Sequence, residues 1–377
     1  MNILILDVET TISNKGNPFD LTNKCVCVGL KFTTCEEVIF YKEDFTAIQE
    51  YILAADIIVG FNIKFDLSWL KNIGIDISNV RVWDVQLAEF ILECQENPYN
   101  SLDDAAIKYG FNKKLDIVKT EYWDKDIDTD AIPREILSDY LTQDLVLTQQ
   151  VYEKQYEQFK NNNRFNLFKL QCADLLVLQE MEWNGVKFNT EKALKKAEEI
   201  EIEIVAINKQ LSDFVGGIPF NPNSNDDVSC LLYGGNIVDS VRFPIGVFKT
   251  GEKVGQVRYK KVDKEYTLPR LVEPIKGTER DKEGYWLVND TVLRTLKLNK
   301  TAKKVVDLLT KYSELDKLRG TYLQGYSKLI DKMNWEKDVL HGTINQCVAI
   351  TGRTSSSKPN LQNADVVTKL FMESRYL

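Results

Sequence analysis

Histidine and long apolar segments are what this sequence most clearly lacks. One histidine, His341, occurs in 377 residues, and none of the seven cysteines falls in a C-x-x-C pair. We therefore expect neither a zinc site nor a disulfide framework, and we interpret the cysteines as reduced core thiols. No apolar run approaches the roughly 20 residues that span a bilayer, and the N-terminal MNILILDVETT has no basic region of the kind that opens a signal peptide. We expect a cytoplasmic protein with no membrane partner.

Acidic and basic residues are divided unevenly along the chain. The net charge is −8, but residues 1–150 contain 26 acidic and 13 basic side chains, whereas residues 151–377 contain 30 acidic and 35 basic ones. This division is compatible with a metal-dependent site joined to a segment that grips a phosphate backbone. Ordinary solvated surface is the alternative explanation.

The first third of the chain alternates between strand and helix patterns. Short apolar or β-branched runs predict strands over 2–9, 26–32, 38–42, 56–62 and 80–85, and helical patterns cover 45–54, 66–72, 86–94, 102–109 and 134–156. Because the opening strands can pair as a hairpin meander, we predict an α/β domain whose mixed sheet is flanked by helices.

Long helical patterns dominate after residue 164. They cover 166–183, 191–214 and 302–333, and a β-rich insertion at about 236–289 separates the last two. A chain of this length exceeds one ordinary core, so two or three domains are expected. We predict three segments, 1–162, 163–340 and 341–377.

Carboxylates stand at the end of the first predicted strand, in ILDVETT. Side chains two apart on a strand share a face, so Asp7 and Glu9 project the same way. Two adjacent carboxylates repel unless a cation lies between them. A solvated acidic pair at a strand end is the alternative.

Two further acidic positions lie on predicted helices. In GFNIKFDLSWL a strand leads into a helix whose first turn contains Asp66, where a capping role is the alternative. In YLTQD, Tyr140 and Asp144 are four residues apart and share one helix face. Alone, that pair is typical of an exposed surface.

Together, the motifs D-x-E, N-x-x-x-D and Y-x-x-x-D resemble, in order and spacing, those of the DEDD 3′–5′ exonucleases, which have a ribonuclease-H-like fold. The resemblance covers about residues 1–160. It implies that Asp7, Glu9, Asp66 and Asp144 bind two divalent cations, Mg²⁺ or Mn²⁺, while Tyr140 orients the attacking water. Related enzymes have histidine in the third motif, but the single histidine here lies far outside it, so we expect the tyrosine variant.

Four later stretches resemble, in order, landmarks of family A DNA polymerases, particularly bacteriophage ones. They are LQEMEWNGVKFN, FNPNSNDDVSCLLYGG, ELDKLRGTYLQG and TGRTSSSKPNLQN. The resemblance implies an exonuclease domain over 1–162, a thumb over 163–340 with its insertion at 236–289, and the start of a palm over 341–377.

In this family the last of these stretches contacts the primer–template duplex. Arg353 matches an arginine that reaches the minor groove, and Ser355, Ser356, Asn360 and Gln362 are further DNA-binding candidates. For Lys358 and His341, a solvated or structural role is the alternative to DNA contact. The insertion has basic residues interleaved with Tyr259 and Tyr266 and is expected to grip DNA, to dock a processivity factor, or to form a solvated extension.

The sequence therefore predicts a metal-dependent proofreading exonuclease that acts on DNA 3′ ends. The polymerase carboxylates of the family are not found in this sequence, so we expect no polymerase activity from this chain alone. A second polypeptide or a missing C-terminal part would supply the rest of the palm and the fingers. The alternatives are a non-catalytic DNA-binding subunit and an RNA-trimming enzyme.

Overall fold

A computed structural model describes residues 1–113 and 117–376. The chain forms two compact units. The first contains Met1–Thr190 together with the part of the chain that starts at Tyr326, and the second contains Glu191–Gly325. None of the helices described combines the length and apolar character needed to cross a membrane.

A five-stranded sheet is the centre of the first unit. Its strands are β1 (Ile3–Thr10), β2 (Cys25–Phe32), β3 (Glu37–Tyr41), β4 (Ile57–Gly60) and β5 (Val82–Asp84), in the order β3-β2-β1-β4-β5. β2 is antiparallel to β1 and to β3, whereas β4 is parallel to β1 and to β5. The predicted mixed sheet is confirmed.

Helices pack around this sheet. They are α1 (Ile48–Ala54), α2 (Lys64–Asn72), α3 (Val85–Leu92), α4 (Leu102–Lys108), α5 (Ile117–Glu121), α6 (Arg134–Lys160) and α7 (Phe165–Asn184). The predicted helix over 45–54 is α-helical only from Ile48, because a 3₁₀ segment, Lys42–Ala47, precedes α1. Trp83 of β5 packs against Phe159 of α6 and Phe168 of α7, so one core side chain joins the sheet to both long helices.

The second unit is largely helical and carries one long hairpin. After β6 (Val186–Phe188) come α8 (Thr190–Phe214), α9 (Asn225–Tyr233), β7 (Gly235–Val247), β8 (Val257–Leu268), α10 (Asp290–Thr295) and α11 (Lys300–Lys317). The helix predicted over 302–333 is interrupted by a π-helical segment, Leu318–Leu323, before α12 (Gln324–Lys332). Glycines at 320 and 325 lie close together there, since a Cβ on Gly325 would be 2.9 Å from the Gly320 carbonyl oxygen.

The C-terminal part returns to the first unit as short elements. These are β9 (Val339–Leu340), β10 (Thr343–Asn345), β11 (Ser355–Ser357), α13 (Val366–Lys369) and β12 (Met372–Glu373). β10 pairs with β11, and the order β12-β6-β9 makes a three-stranded sheet.

Candidate metal centre

Strand β1 presents the first two carboxylates from the middle of the sheet. It is hydrogen-bonded on one side to β2 and on the other to β4. Asp7 is paired with Gly29 and Glu9 with Cys27, so both acidic residues stand on a strand that is held from both edges. Glu9 is buried and Asp7 is half-buried.

Helix α6 brings a third carboxylate to this strand. Gly29, opposite Asp7, has no side chain, and a Cβ built there would lie 2.8 Å from both Leu141 Cγ and Leu145 Cδ1. The helix can therefore lie directly on the sheet at this point. Its Asp144 is buried, and carboxylate oxygens of Asp7, Glu9 and Asp144 all lie within 4.8 Å of one another.

Asp66 lies in the first turn of α2 and is almost fully buried. It is not the cap of the helix, because Ile63 occupies the N-cap position. Burial raises the pKa of Asp66 well above its ordinary range, and the negative charge of Asp7 raises it further. Two carboxylates that disfavour each other's ionisation in a buried site are the arrangement that a bound cation would relieve.

Asp84 supports the position of Asp66. Its carboxylate accepts a hydrogen bond from the Leu87 amide at 2.7 Å, capping α3, and one from the Ile63 amide at 2.8 Å. The second bond fixes the turn between β4 and α2. Burial raises the pKa of Asp84 to about 6, against the opposing effect of those backbone hydrogen bonds. The hydrogen bond between residues 63 and 84 could not be predicted from the sequence, because nothing in the local pattern relates these two positions.

The nearby thiols do not compete as ligands. All seven cysteines are free; five are buried, as predicted for core thiols, but the prediction was wrong for Cys35 and Cys94, which are exposed. Burial and the negative charges of Asp66 and Glu9 raise the pKa of Cys25, and burial and Glu9 raise that of Cys27. Both thiols therefore stay protonated, and the available donors are carboxylate oxygens, which suit hard cations such as Mg²⁺ or Mn²⁺.

Tyr140 lies one helical turn before Asp144 on α6 and is buried. Its ring meets that of Trp123 edge to face, with centroids 5.9 Å apart. This packing limits the freedom of the ring, so that its hydroxyl is held on the same helix face as Asp144.

The C-terminal loop that contains the remaining predicted residues is held by its own side chains. Ser356 is buried; its hydroxyl donates to the Pro359 carbonyl and accepts from the Leu361 amide, each at 3.2 Å. Ser355 is half-buried beside it on β11. Arg353 is exposed, so the loop presents its positive charge at the surface.

Asn360 and Gln362 are also exposed, and each makes a bond within the loop. The Asn360 carboxamide accepts from the Asn363 amide at 3.2 Å, and Gln362 donates to the Thr354 hydroxyl at 2.9 Å. His341 is buried, stacks on Phe19 with ring centroids 3.9 Å apart, and has a structural role.

Comparison with known proteins agrees with this geometry. Residues 5–158 match the family described as 3′-5′ exonuclease, and this range contains the clustered carboxylates of Asp7, Glu9 and Asp144. Residues 252–376 match DNA polymerase family A. The chain is thus similar to a 3′–5′ exonuclease over one part and to a family A DNA polymerase over another, as the motifs predicted.

Individual relatives are much longer than this chain. DNA polymerase I of Bacillus subtilis is 27% identical over 301 residues, which cover 78% of this chain and 28% of the relative. DNA polymerase I of Chloroflexus aurantiacus is 26% identical over 322 residues, covering 83% and 29%. The chain therefore spans less than a third of these relatives.

A solved structure shares the fold. It is the polymerase domain of Pol1 from M. smegmatis, in complex with a DNA primer-template and dNTP, with a TM-score of 0.66 and 14% identity. The match covers 96% of this chain and 52% of that one.

Proposed function

We propose that this protein is a metal-dependent proofreading exonuclease that removes nucleotides from DNA 3′ ends. The observation that carries the proposal is the meeting of three carboxylates, from Asp7, Glu9 and Asp144, within 4.8 Å of one another in a domain of the 3′–5′ exonuclease class. These residues come from a central strand and a helix held against it, so the cluster is fixed before any substrate binds.

Asp7, Glu9, Asp66 and Asp144 would hold two divalent cations, Mg²⁺ or Mn²⁺. The buried oxygen donors fit hard cations, and the mutual repulsion of Asp7 and Asp66 is the cost that such cations offset. When bound, a cation pair supplies an activated water and stabilises the charge that develops on the leaving 3′ oxygen.

Tyr140 would orient the attacking water. Its hydroxyl is carried one turn from Asp144, and its ring is fixed by Trp123. This is the role that the tyrosine variant of the DEDD exonucleases implies, and we assign the chain to that variant.

The rest of the chain would hold the DNA. We assign residues 1–162 to the exonuclease, 163–340 to a polymerase thumb and 341–377 to the start of a palm of the bacteriophage type. Exposed Arg353, Asn360 and Gln362 would contact the primer–template duplex, with Ser355 and Ser356 shaping the loop beside it. A second polypeptide or a further C-terminal part would supply the rest of the palm and the fingers, and a processivity factor would be another partner.

A 3′-labelled single strand of DNA tests the exonuclease. We expect stepwise shortening with Mg²⁺ or Mn²⁺ and none with a chelator. Asp7→Ala and Asp144→Ala should each abolish shortening, whereas Asp139→Ala, an exposed acid on the same helix, should not.

If the strand stays intact with both metals, the proposal is wrong. The protein would then be interpreted as a non-catalytic DNA-binding subunit. Faster shortening of an RNA strand than of the matched DNA strand would indicate an RNA-trimming enzyme instead.

A further inference from the structure

The hairpin of β7 and β8 has a long exposed end. We call residues 241–262 the ribbon tip. Apart from half-buried Phe248, every residue of the ribbon tip is exposed. An isolated two-stranded hairpin is marginally stable in water, so a tip of this length needs either anchoring at its root or a surface to lie on.

The root of the hairpin is well anchored. Ile237 and Leu268 are buried, and Arg270 Nε donates to the Tyr233 carbonyl at 3.0 Å just beyond β8. A Cβ on Gly234 would lie 3.1 Å from the Arg270 amide nitrogen, so the two ends of the hairpin are closely packed. The hairpin therefore leaves the second unit from a fixed base.

The root of the hairpin and the ribbon tip differ in their charged residues. The root carries acidic groups that are satisfied locally: Asp263 accepts from the Ser240 hydroxyl at 2.5 Å, and Glu265 accepts from the Asn236 amide at 3.2 Å. The ribbon tip has a single acid, Glu252, and six cations, namely Arg242, Lys249, Lys253, Arg258, Lys260 and Lys261. Within residues 1–113 and 117–376, none of these six makes an ion pair.

The cations lie on both faces of the ribbon tip. In the observed register Arg242 is opposite Lys261 on one face, and Phe243 is opposite Lys260 on the other. Exposed apolar side chains stand between the charges, including Phe243 at 51% and Tyr259 at 55% exposure. Each face therefore offers cations at the edges and apolar contact area between them.

We propose that the ribbon tip lies in a groove of duplex DNA and contacts the phosphates on both walls. A two-stranded ribbon fits the major groove of B-form DNA. When the tip enters the groove with one face toward each wall, cations on both faces reach phosphates, whereas a flat protein surface would contact the cations of one face only. Because the contacts are to phosphate, binding is independent of base sequence and sensitive to salt.

This inference rests on the proposed function, which makes DNA the substrate, but it can fail separately. The probe is a fluorescent blunt-ended duplex of about 20 base pairs, titrated in chelator so that no cleavage occurs. The variant is Arg258→Gln with Lys260→Gln and Lys261→Gln. Its charge-matched control is Lys154→Gln with Lys195→Gln and Lys209→Gln, three exposed lysines that do not belong to the hairpin.

We expect the ribbon variant to bind the duplex about tenfold more weakly or worse at low salt. The slope of log affinity against log salt should fall by about 2–3, since each lost phosphate contact removes about 0.9. The control should keep the affinity and slope of the unmodified protein. Both variants should keep their melting temperature, and both should shorten a short single strand normally.

Unchanged duplex affinity and slope in the ribbon variant would overturn the inference and point to an acidic protein as the partner. An equal loss in the control would also overturn it, because binding would then follow overall charge. Failure of the unmodified protein to shorten single strands would instead count against the proposed function alone.

Discussion

Gly29 on β2 lies directly opposite Asp7 on β1, and the space that a side chain would fill is taken by Leu141 and Leu145 of α6. The separation between the helix and the sheet at the metal centre is thus set by a missing side chain. Asp144 reaches Asp7 and Glu9 because α6 can come this close.

Replacing Gly29 with alanine should therefore damage the site without touching a carboxylate. The new Cβ would lie 2.8 Å from both leucines, and overpacking of this kind costs about 1–3 kcal/mol. Displacement of Asp144 should lower exonuclease kcat by roughly tenfold or more. Denaturant unfolding and shortening of a 3′-labelled strand measure the two effects.

Gly320→Ala is the matched control, because a Cβ there would have no neighbour within 4 Å. It should change both quantities little. Full activity in Gly29→Ala would show that α6 does not need this close approach.

Asp66→Asn should stabilise the protein in the absence of metal. The substitution removes a buried charge whose ionisation burial and Asp7 both disfavour, so the free energy of unfolding in chelator should rise by about 1–2 kcal/mol. Mg²⁺ should raise the melting temperature of the unmodified protein much more than that of the variant. A variant that is less stable in chelator would show that hydrogen bonds outweigh the repulsion.

Lys64 and Glu182 form a buried ion pair that a double-mutant cycle can measure. Lys64 Nζ donates to Glu182 Oε1 at 2.5 Å and also to the Ile344 carbonyl, while Glu182 accepts from the Ile344 amide. Each single change to alanine leaves a buried charge unpaired and should cost about 3–5 kcal/mol. The double variant should cost clearly less than the sum; an additive result would show that the two charges act independently.

His341 should make stability fall at mildly acidic pH. Its Nδ1 donates to the Glu182 carbonyl at 2.9 Å, and burial lowers the pKa of the ring from 6.5 to about 4. The folded state therefore binds the proton less readily than the unfolded state. Keeping the ring neutral therefore contributes up to about 3 kcal/mol to the free energy of unfolding. This contribution is complete above pH 6.5 and is lost as the pH falls towards 4.

Urea unfolding of His341→Asn between pH 7 and pH 4 checks this dependence. The asparagine amide can still donate to the carbonyl but does not titrate. The variant should be less stable at pH 7 because it loses the stacking on Phe19. The difference in free energy of unfolding between the unmodified protein and the variant should become smaller as the pH falls. A constant difference would contradict the shifted pKa.

Much of this architecture could be predicted because its signals are local. Strand β1 and helix α6 coincide with apolar patterns that are visible in the sequence, and a capping box of Ser101 and Asp104 begins α4 within the predicted helix over 102–109. The motif spacing placed Asp7, Glu9 and Asp144 in one domain.

What could not be predicted depends on contacts between distant residues. Nothing around Gly29 shows that two leucines 112 and 116 positions later will fill its space. Ser356 belongs to a polar sequence that is typical of an exposed loop. It is nevertheless buried, because its hydroxyl donates a hydrogen bond to the Pro359 carbonyl of the same loop. The interruption after α11 is a π-helical segment, Leu318–Leu323, where the apolar pattern predicted one uninterrupted helix.

The ion pair of Lys64 and Glu182 bears on how this protein can be divided experimentally. Lys64 belongs to the same helix as Asp66, but Glu182 belongs to α7, which follows the proposed exonuclease boundary at 162. Gln179 of α7 likewise donates to Ser68 of α2 at 3.2 Å. Excising residues 1–162 as a minimal nuclease would remove these partners from the helix that carries Asp66, whereas a cut after residue 184 would keep them.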